Sequence, residues 1–98
     1  MREIELTTAA SAMERIEATL GEKSRVVSLS WIDYSTGRKL DIHSIGRLCR
    51  ERGVLFAIDA SQGLGGLPLA IDELPCDLLL CAGYKWLLGP YGVGFTWV

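Results

Sequence analysis

Histidine is nearly missing from this chain of 98 residues: His43 is the only one. The three cysteines, Cys49, Cys76 and Cys81, form no Cys-x-x-Cys pair. Together they offer too few soft ligands at usable spacing for a zinc centre, so no metal is expected. All three lie in apolar stretches, where a cysteine behaves as a small buried hydrophobe, as in a reducing, cytoplasmic setting. Basic blocks are also lacking. Ten basic residues stand against twelve acidic ones, a net charge of −2, which argues against a nucleic-acid partner. No apolar run approaches the length that spans a bilayer, so no membrane partner is expected. Met1 to Thr8 is charged and mixed, without the apolar centre of a signal peptide. There is no repeat, no Walker motif and no Gly-x-Ser-x-Gly elbow. The length allows one small domain.

What is abundant is glycine. Seven of the eleven glycines follow Asp59, so the second half is rich in tight turns or close backbone approaches. The apolar pattern alternates between helical and strand-like stretches, which predicts an α/β fold. A first helix is expected from about Ser11 to Leu20. Ser11-Ala-Met-Glu14 reads as its capping box, Ala12, Met13, Ile16 and Leu20 as its apolar face, and Gly21 as its stop. Val26 to Ile32 reads as a strand and Asp33-Tyr-Ser-Thr-Gly37 as a turn. Asp41 is a good N-cap for a helix over Ile42 to Arg52, with Ile42, Ile45, Leu48 and Cys49 inward, His43, Arg47, Arg50 and Glu51 outward, and Gly53 as the end. Val54 to Ile58 is a continuous apolar run, as in a parallel strand covered on both faces. Leu78 to Cys81 and Gly92 to Val98 complete a parallel or mixed sheet with packed helices. Trp31 and Trp97 are expected in the core, and Trp86 as a brace for its loop.

In such sheets ligands gather beyond the carboxyl ends of the strands. Asp33, Asp59 and the Gly83–Lys85 loop all lie at such ends. The edges and faces of the sheet lack cover, so the chain reads as a fragment or as a unit completed by something else.

Lys85 lies in Gly83-Tyr-Lys-Trp-Leu-Leu-Gly-Pro90, between a buried strand and a glycine-proline turn. A partly buried lysine favours the neutral amine that a Schiff base needs. A lysine snorkelling from the edge of a core fits the same segment. Asp59, closing a strand in Asp59-Ala-Ser-Gln62, suits a cap or loop anchor. It also suits a partner for a protonated pyridine nitrogen, with Gln62 placed to bond a neighbouring ring oxygen. The glycine segments are not dinucleotide fingerprints: Pro68 occupies the last glycine place after Gly63-Leu-Gly65-Gly66, and Gly89 to Gly94 fails too.

Taken together, the segments are more specific than either alone. Asp59 to Gln62 ends a strand, the Gly-rich turn Gly63 to Pro68 follows, and Asp77 opens the next strand. Tyr84-Lys-Trp-Leu-Leu-Gly-Pro90 and Gly92-Val-Gly94-Phe come after it, and Lys85 stands 26 residues beyond Asp59. From Arg25 to Val98 the chain resembles class V aminotransferase-like proteins of fold type I, the superfamily of cysteine desulfurases, kynureninase and isopenicillin N epimerase. The resemblance implies that residues 1–98 are the central part of a large domain that binds pyridoxal 5'-phosphate, without the preceding portion and the C-terminal small domain. It implies a Schiff base at Lys85 and proton transfer at the Cα of a small amino-acid substrate. It also implies Asp59 on the pyridinium proton, Gln62 on the phenolic oxygen, and Tyr84 on the phosphate. Asp33 stands where several relatives carry Asn near the ring oxygen; an acid there fits a turn role equally. Ala82 replaces a serine usual in cysteine desulfurases, which points towards the epimerase-like or kynureninase-like branch. The family's sites form at a homodimer interface. Transamination, epimerisation, desulfuration and C–C cleavage differ in which Cα bond stands perpendicular to the ring, and parts outside this chain set that. The alternative is a truncated, non-catalytic module of the same fold that pairs with a partner chain.

Overall fold

The computed structural model describes residues 1–4 and 9–98. In chain order the elements are helix α1 (Ala9–Thr19), strand β1 (Val26–Ser30), helix α2 (Ile42–Glu51), strand β2 (Leu55–Asp59), a 3₁₀ turn (Ile71–Glu73), strand β3 (Leu78–Ala82) and strand β4 (Gly94–Trp97). The sheet order is β1-β2-β3-β4. The first three strands run parallel and β4 returns antiparallel to β3, so the sheet is mixed.

Helix α1 opens two residues ahead of the expected Ser11 start. Ala9 and Ala10 are strong helix formers, and they carry the helix past the serine. Ser11 therefore lies within the first turn, and a capping box at Ser11 is not how the helix begins. Ala12 and Ile16 are buried, with Met13 and Leu20 packed beside them.

Helix α2 follows its sequence signals closely. The Asp41 carboxylate accepts the Ser44 amide at 3.1 Å. At the far end Gly53 adopts φ 65°, its amide bonds the Arg50 carbonyl, and the Val54 amide bonds the Cys49 carbonyl. That pair of reversed bonds is the Schellman closure, and glycine is the residue that reaches it without strain. Ile42, Ile45, Leu48 and Cys49 are buried as expected, while His43 is half-buried. Arg52 joins Glu17 of α1 across 2.8 Å, an exposed pair worth only ~0.2–1 kcal/mol.

The register places Val27, Leu29, Phe56, Ile58, Leu79 and Cys81 on one face of the sheet, against the helices. Phe56, Ile58 and Leu79 are almost fully enclosed there. The opposite face carries Val26, Leu55 and Leu80, exposed by 56%, 56% and 40%. The expectation that β2 is covered on both faces holds only in part: Ala57 is buried on this second face, but Leu55 is not. Trp97 is also corrected. It lies in β4, but at the sheet's edge and 37% exposed, whereas Trp31 is core at 5%. The three thiols are buried and unpaired. Burial, then the charge of Asp77, pushes the thiols of Cys49 and Cys76 upward.

Asp77 joins β2 to β3 at their amino ends. Its carboxylate accepts the Phe56 amide at 2.7 Å, and its own amide donates to the Phe56 carbonyl. The side chain thus completes a ladder that the backbone leaves one acceptor short. Asp77→Ala strands the Phe56 N–H beside the core, a loss of about 1–3 kcal/mol. Asp77→Asn keeps an oxygen and loses less. Urea unfolding of the two variants checks this; equal stability of Asp77→Ala and the parent would refute it.

Candidate functional site

Because β1, β2 and β3 are parallel, their carboxyl ends share one edge, and the segments from Asp33, Asp59 and Lys85 all emerge there. Asp59 is the last residue of β2. One carboxylate oxygen accepts the Ser61 amide at 2.8 Å. This bond two residues on is an Asx turn. Among the described residues the other oxygen accepts no hydrogen bond. Ser61 is buried, and its hydroxyl accepts the Ala82 amide at 2.9 Å, tying the loop after β2 to the end of β3. The sequence pattern does not single out Ser61; the only signal is a serine two places after a strand-ending Asp. Beyond it Gly63 lies under the Trp31 indole, where an added Cβ would stand 2.8 Å from Cζ3. Gln62, between them, is half-buried.

Lys85 follows β3 by three residues and is half-buried. Its loop is closed at the neck: the Gly83 amide donates to the Val93 carbonyl and the Gly89 amide to the Gly83 carbonyl, both at 2.8 Å. Leu88 turns the chain at φ 55°, the only described non-glycine residue at positive φ. Such a conformation is uncommon for a bulky side chain and places a local strain beside the lysine. The Lys85 ammonium sits over the Tyr84 ring, 5.8 Å from its centroid, within the range of a cation–π contact. Tyr84 in turn stacks on Tyr91, with centroids 4.7 Å apart and planes inclined by 25°.

Cys81 lies in β3, four residues before Lys85. Burial raises its thiol pKa; the Asp59 carboxylate raises it further, and the Lys85 ammonium opposes them. Both charges are therefore near enough to act on one buried sulfur. A shallow depression of about 430 Å³ takes in Asp59, Ser61, Leu80, Ala82, Gly94 and Thr96. Lys85, Tyr84, Gln62 and Asp33 do not line it.

Asp33 is held in its turn. One oxygen accepts the amides and hydroxyls of both Ser35 and Thr36, at 2.7–3.0 Å. The Ser35 and Thr36 hydroxyls, with the Thr36 amide, bring its carboxyl pKa down to about 2. The sequence left a turn role and a ring contact open at Asp33; this geometry is that of a turn anchor, away from the depression. His43 lies elsewhere, with Lys39 and Asp41 in a second hollow at the start of α2.

Among the described residues no helix is long and apolar enough to cross a membrane. The family model for aminotransferase class V matches residues 2–98. Cysteine desulfurase IscS of Pectobacterium carotovorum subsp. carotovorum (strain PC1) is 36% identical over 86 residues, covering 88% of this chain and 21% of that protein. The enzyme of the same name from Shewanella sp. (strain W3-18-1) is 37% identical, with the same coverage. The chain thus spans about a fifth of the length of these curated relatives. Among solved structures, the cystine C-S lyase C-DES in complex with its reaction product cysteine persulfide matches at a TM-score of 0.85 and 33% identity, covering 93% of this chain and 26% of that one. A C-DES mutant with glycine covalently linked to the PLP cofactor matches at 0.84 and 33%, covering 89% and 24%. These relatives do not follow the epimerase-like or kynureninase-like lead taken from Ala82. With a four-strand mixed sheet that overlays a C-DES structure holding a PLP cofactor, and a family model that matches almost every residue, the chain belongs to the class V aminotransferases.

Proposed function

We propose that this chain carries the cofactor lysine and the ring-binding carboxylate of a pyridoxal-phosphate-dependent enzyme acting on a small amino acid. The observation that carries the reading is the placement of Asp59 at the carboxyl end of β2 and of Lys85 three residues beyond that of β3, its parallel neighbour.

The residues fit the group. Asp59 presents an oriented carboxylate with one oxygen uncommitted, suited to a pyridinium N–H, and Lys85 presents a half-buried primary amine, suited to an aldehyde carbon. Pyridoxal phosphate, when bound, supplies the electron sink that weakens the bonds at a substrate's Cα. Lys85 would hold the group through its aldehyde carbon and would hold and return a proton at the substrate's Cα. The open Asp59 oxygen would face the ring nitrogen and favour its protonated form. The Gln62 amide would serve the phenolic oxygen, and the Tyr84 hydroxyl the phosphate. Asp33 stays with its turn. The names of the relatives favour cysteine or cystine as the first substrates to try. Ala82 has no hydroxyl to give a phosphate, and its amide is already held by Ser61.

A second reading has its own observation, the uncovered sheet face with Val26, Leu55 and Leu80 exposed. In it the chain is a non-catalytic module that docks this face on another chain. A colourless complex after incubation with cofactor would favour it.

The deciding experiment is reductive trapping. The chain is mixed with pyridoxal phosphate and reduced with borohydride, and the modified lysines are mapped by mass spectrometry. Selective labelling of Lys85 over Lys23 and Lys39, weakened by Asp59→Ala, is the expected result. Labelling spread evenly over the lysines would overturn the proposal.

A further inference from the structure

The two loops that meet at this edge touch at one place that the proposed chemistry does not use. Trp86, next to Lys85, lays its indole on the Gly65–Gly66 backbone. A Cβ at Gly66 would meet the ring at 3.0 Å from Cδ2, 3.2 Å from Cγ and 3.3 Å from Cε2. A Cβ at Gly65 would meet the Trp86 carbonyl carbon and oxygen and Leu87 Cδ2, each at 3.0 Å. A methyl group at Gly66 would oblige the indole, 59% exposed, to give way by a few tenths of an ångström. The Gly65–Gly66 segment continues from Asp59 through the Ser61 staple, and Trp86 is the residue after Lys85.

We infer that the seat of Trp86 on Gly66 is the contact that sets Lys85 against the Asp59 loop, which makes Trp86 and Gly66 positioning residues for the lysine. The inference rests on the proposed role of Lys85 and adds the device that aims it. The physical reason is rigidity. The residue after the lysine is seated twice on this segment, by its indole on Gly66 and by its backbone carbonyl on Gly65, and its Cα is one peptide unit from the Lys85 Cα. The Lys85 side chain has four carbons of freedom, but its ammonium must start from a fixed origin to meet an aldehyde carbon in line. The Lys85 ammonium also lies over Tyr84, which stacks on Tyr91.

Gly66 is the place to test this, because its φ is not positive and its backbone accepts alanine, whereas Gly65 sits at φ 92°. Gly66→Ala adds one methyl group against the indole. Trp86→Ala removes the ring, and with it the contact that Gly66→Ala crowds. Two readouts are taken on each protein: trace acetylation of Lys85 relative to Lys23 and Lys39 without cofactor, and borohydride trapping with pyridoxal phosphate. Gly66→Ala and Trp86→Ala are each expected to change Lys85 acetylation and lower its trapping several-fold, with Lys23 and Lys39 unchanged. Gly66→Ala is expected to add nothing further once Trp86 is alanine. The inference falls if Gly66→Ala leaves Lys85 as reactive as in the parent, or if its effect is undiminished in the Trp86→Ala background. Trapping absent even in the parent, with acetylation still following the expected pattern, would sink the cofactor proposal and leave the positioning contact standing.

Discussion

Phe56→Ala is expected to lower the stability of this chain by about 3–5 kcal/mol, the range for emptying an aromatic site in a packed core. Phe56 is 1% exposed. It occupies the middle layer of the helix-covered face, opposite Val27 in β1 and beside Ile58 in its own strand. Its backbone is pinned on both sides, by the β1 ladder and by Asp77, so the strand cannot collapse into the space left behind. A domain of this kind holds only ~5–15 kcal/mol in total. The variant is therefore expected to lose most of its cooperative unfolding transition. Urea titration followed by near-ultraviolet circular dichroism measures it, and a shift under about 1 kcal/mol would place Phe56 outside the core.

Gly46→Ala is expected to reverse the usual sign of such a change. In an ordinary helix interior, replacing glycine by alanine gains roughly 0.5–1 kcal/mol. Gly46 lies in the buried face of α2, and its missing Cβ is the space into which Pro75 fits. A methyl there would run into the Pro75 carbonyl oxygen and stand 2.8 Å from Pro75 Cγ. Backbone cannot step aside as a flexible side chain can, so α2 has to lift from the segment leading into β3. The overpacking cost is about 1–3 kcal/mol, enough to outweigh the helix gain. Gly21→Ala is the control, since an added Cβ there meets nothing within 4 Å. Thermal midpoints of the two variants settle the matter. A stabilised Gly46→Ala would mean that the α2–Pro75 approach is looser than described.

The parts of the fold that could be read from the sequence are those whose causes are local. Asp41 and Gly53 bound α2 because a carboxylate and a left-handed glycine satisfy backbone groups a few residues away. Ser11 misled because two alanines upstream extend the helix, so the cap signal was present but outcompeted. That the sheet needs further cover is legible in the sequence; which residues lie open is not. Val54 to Ile58 is apolar throughout, and apolarity records that a residue is to be covered, not which segment covers it. Leu55 and Leu80 are as hydrophobic as Ile58, yet no described helix reaches them. Trp97 is the same case at an edge. Asp59 and Lys85 are legible as candidates because strand ends in a parallel sheet converge. Asp33 shares that edge, but four short-range hydrogen bonds hold it in its turn. Ser61 and Gly66 act through contacts with residues 21 and 20 positions further on, Ala82 and Trp86, and no short motif announces such pairs.

The closed neck of the lysine loop has a consequence for how the amine explores space. Residues 84–88 leave and return through Gly83, whose amide and carbonyl are both engaged. A segment this short, tied at one residue, has little configurational entropy left to lose. The search of the ammonium is then one of side-chain rotamers about a nearly stationary anchor, on the picosecond-to-nanosecond scale of such rotations, without the slower excursions of a free loop. A reactant arriving at this edge meets an amine on a short leash, which samples its few positions many times during a single encounter.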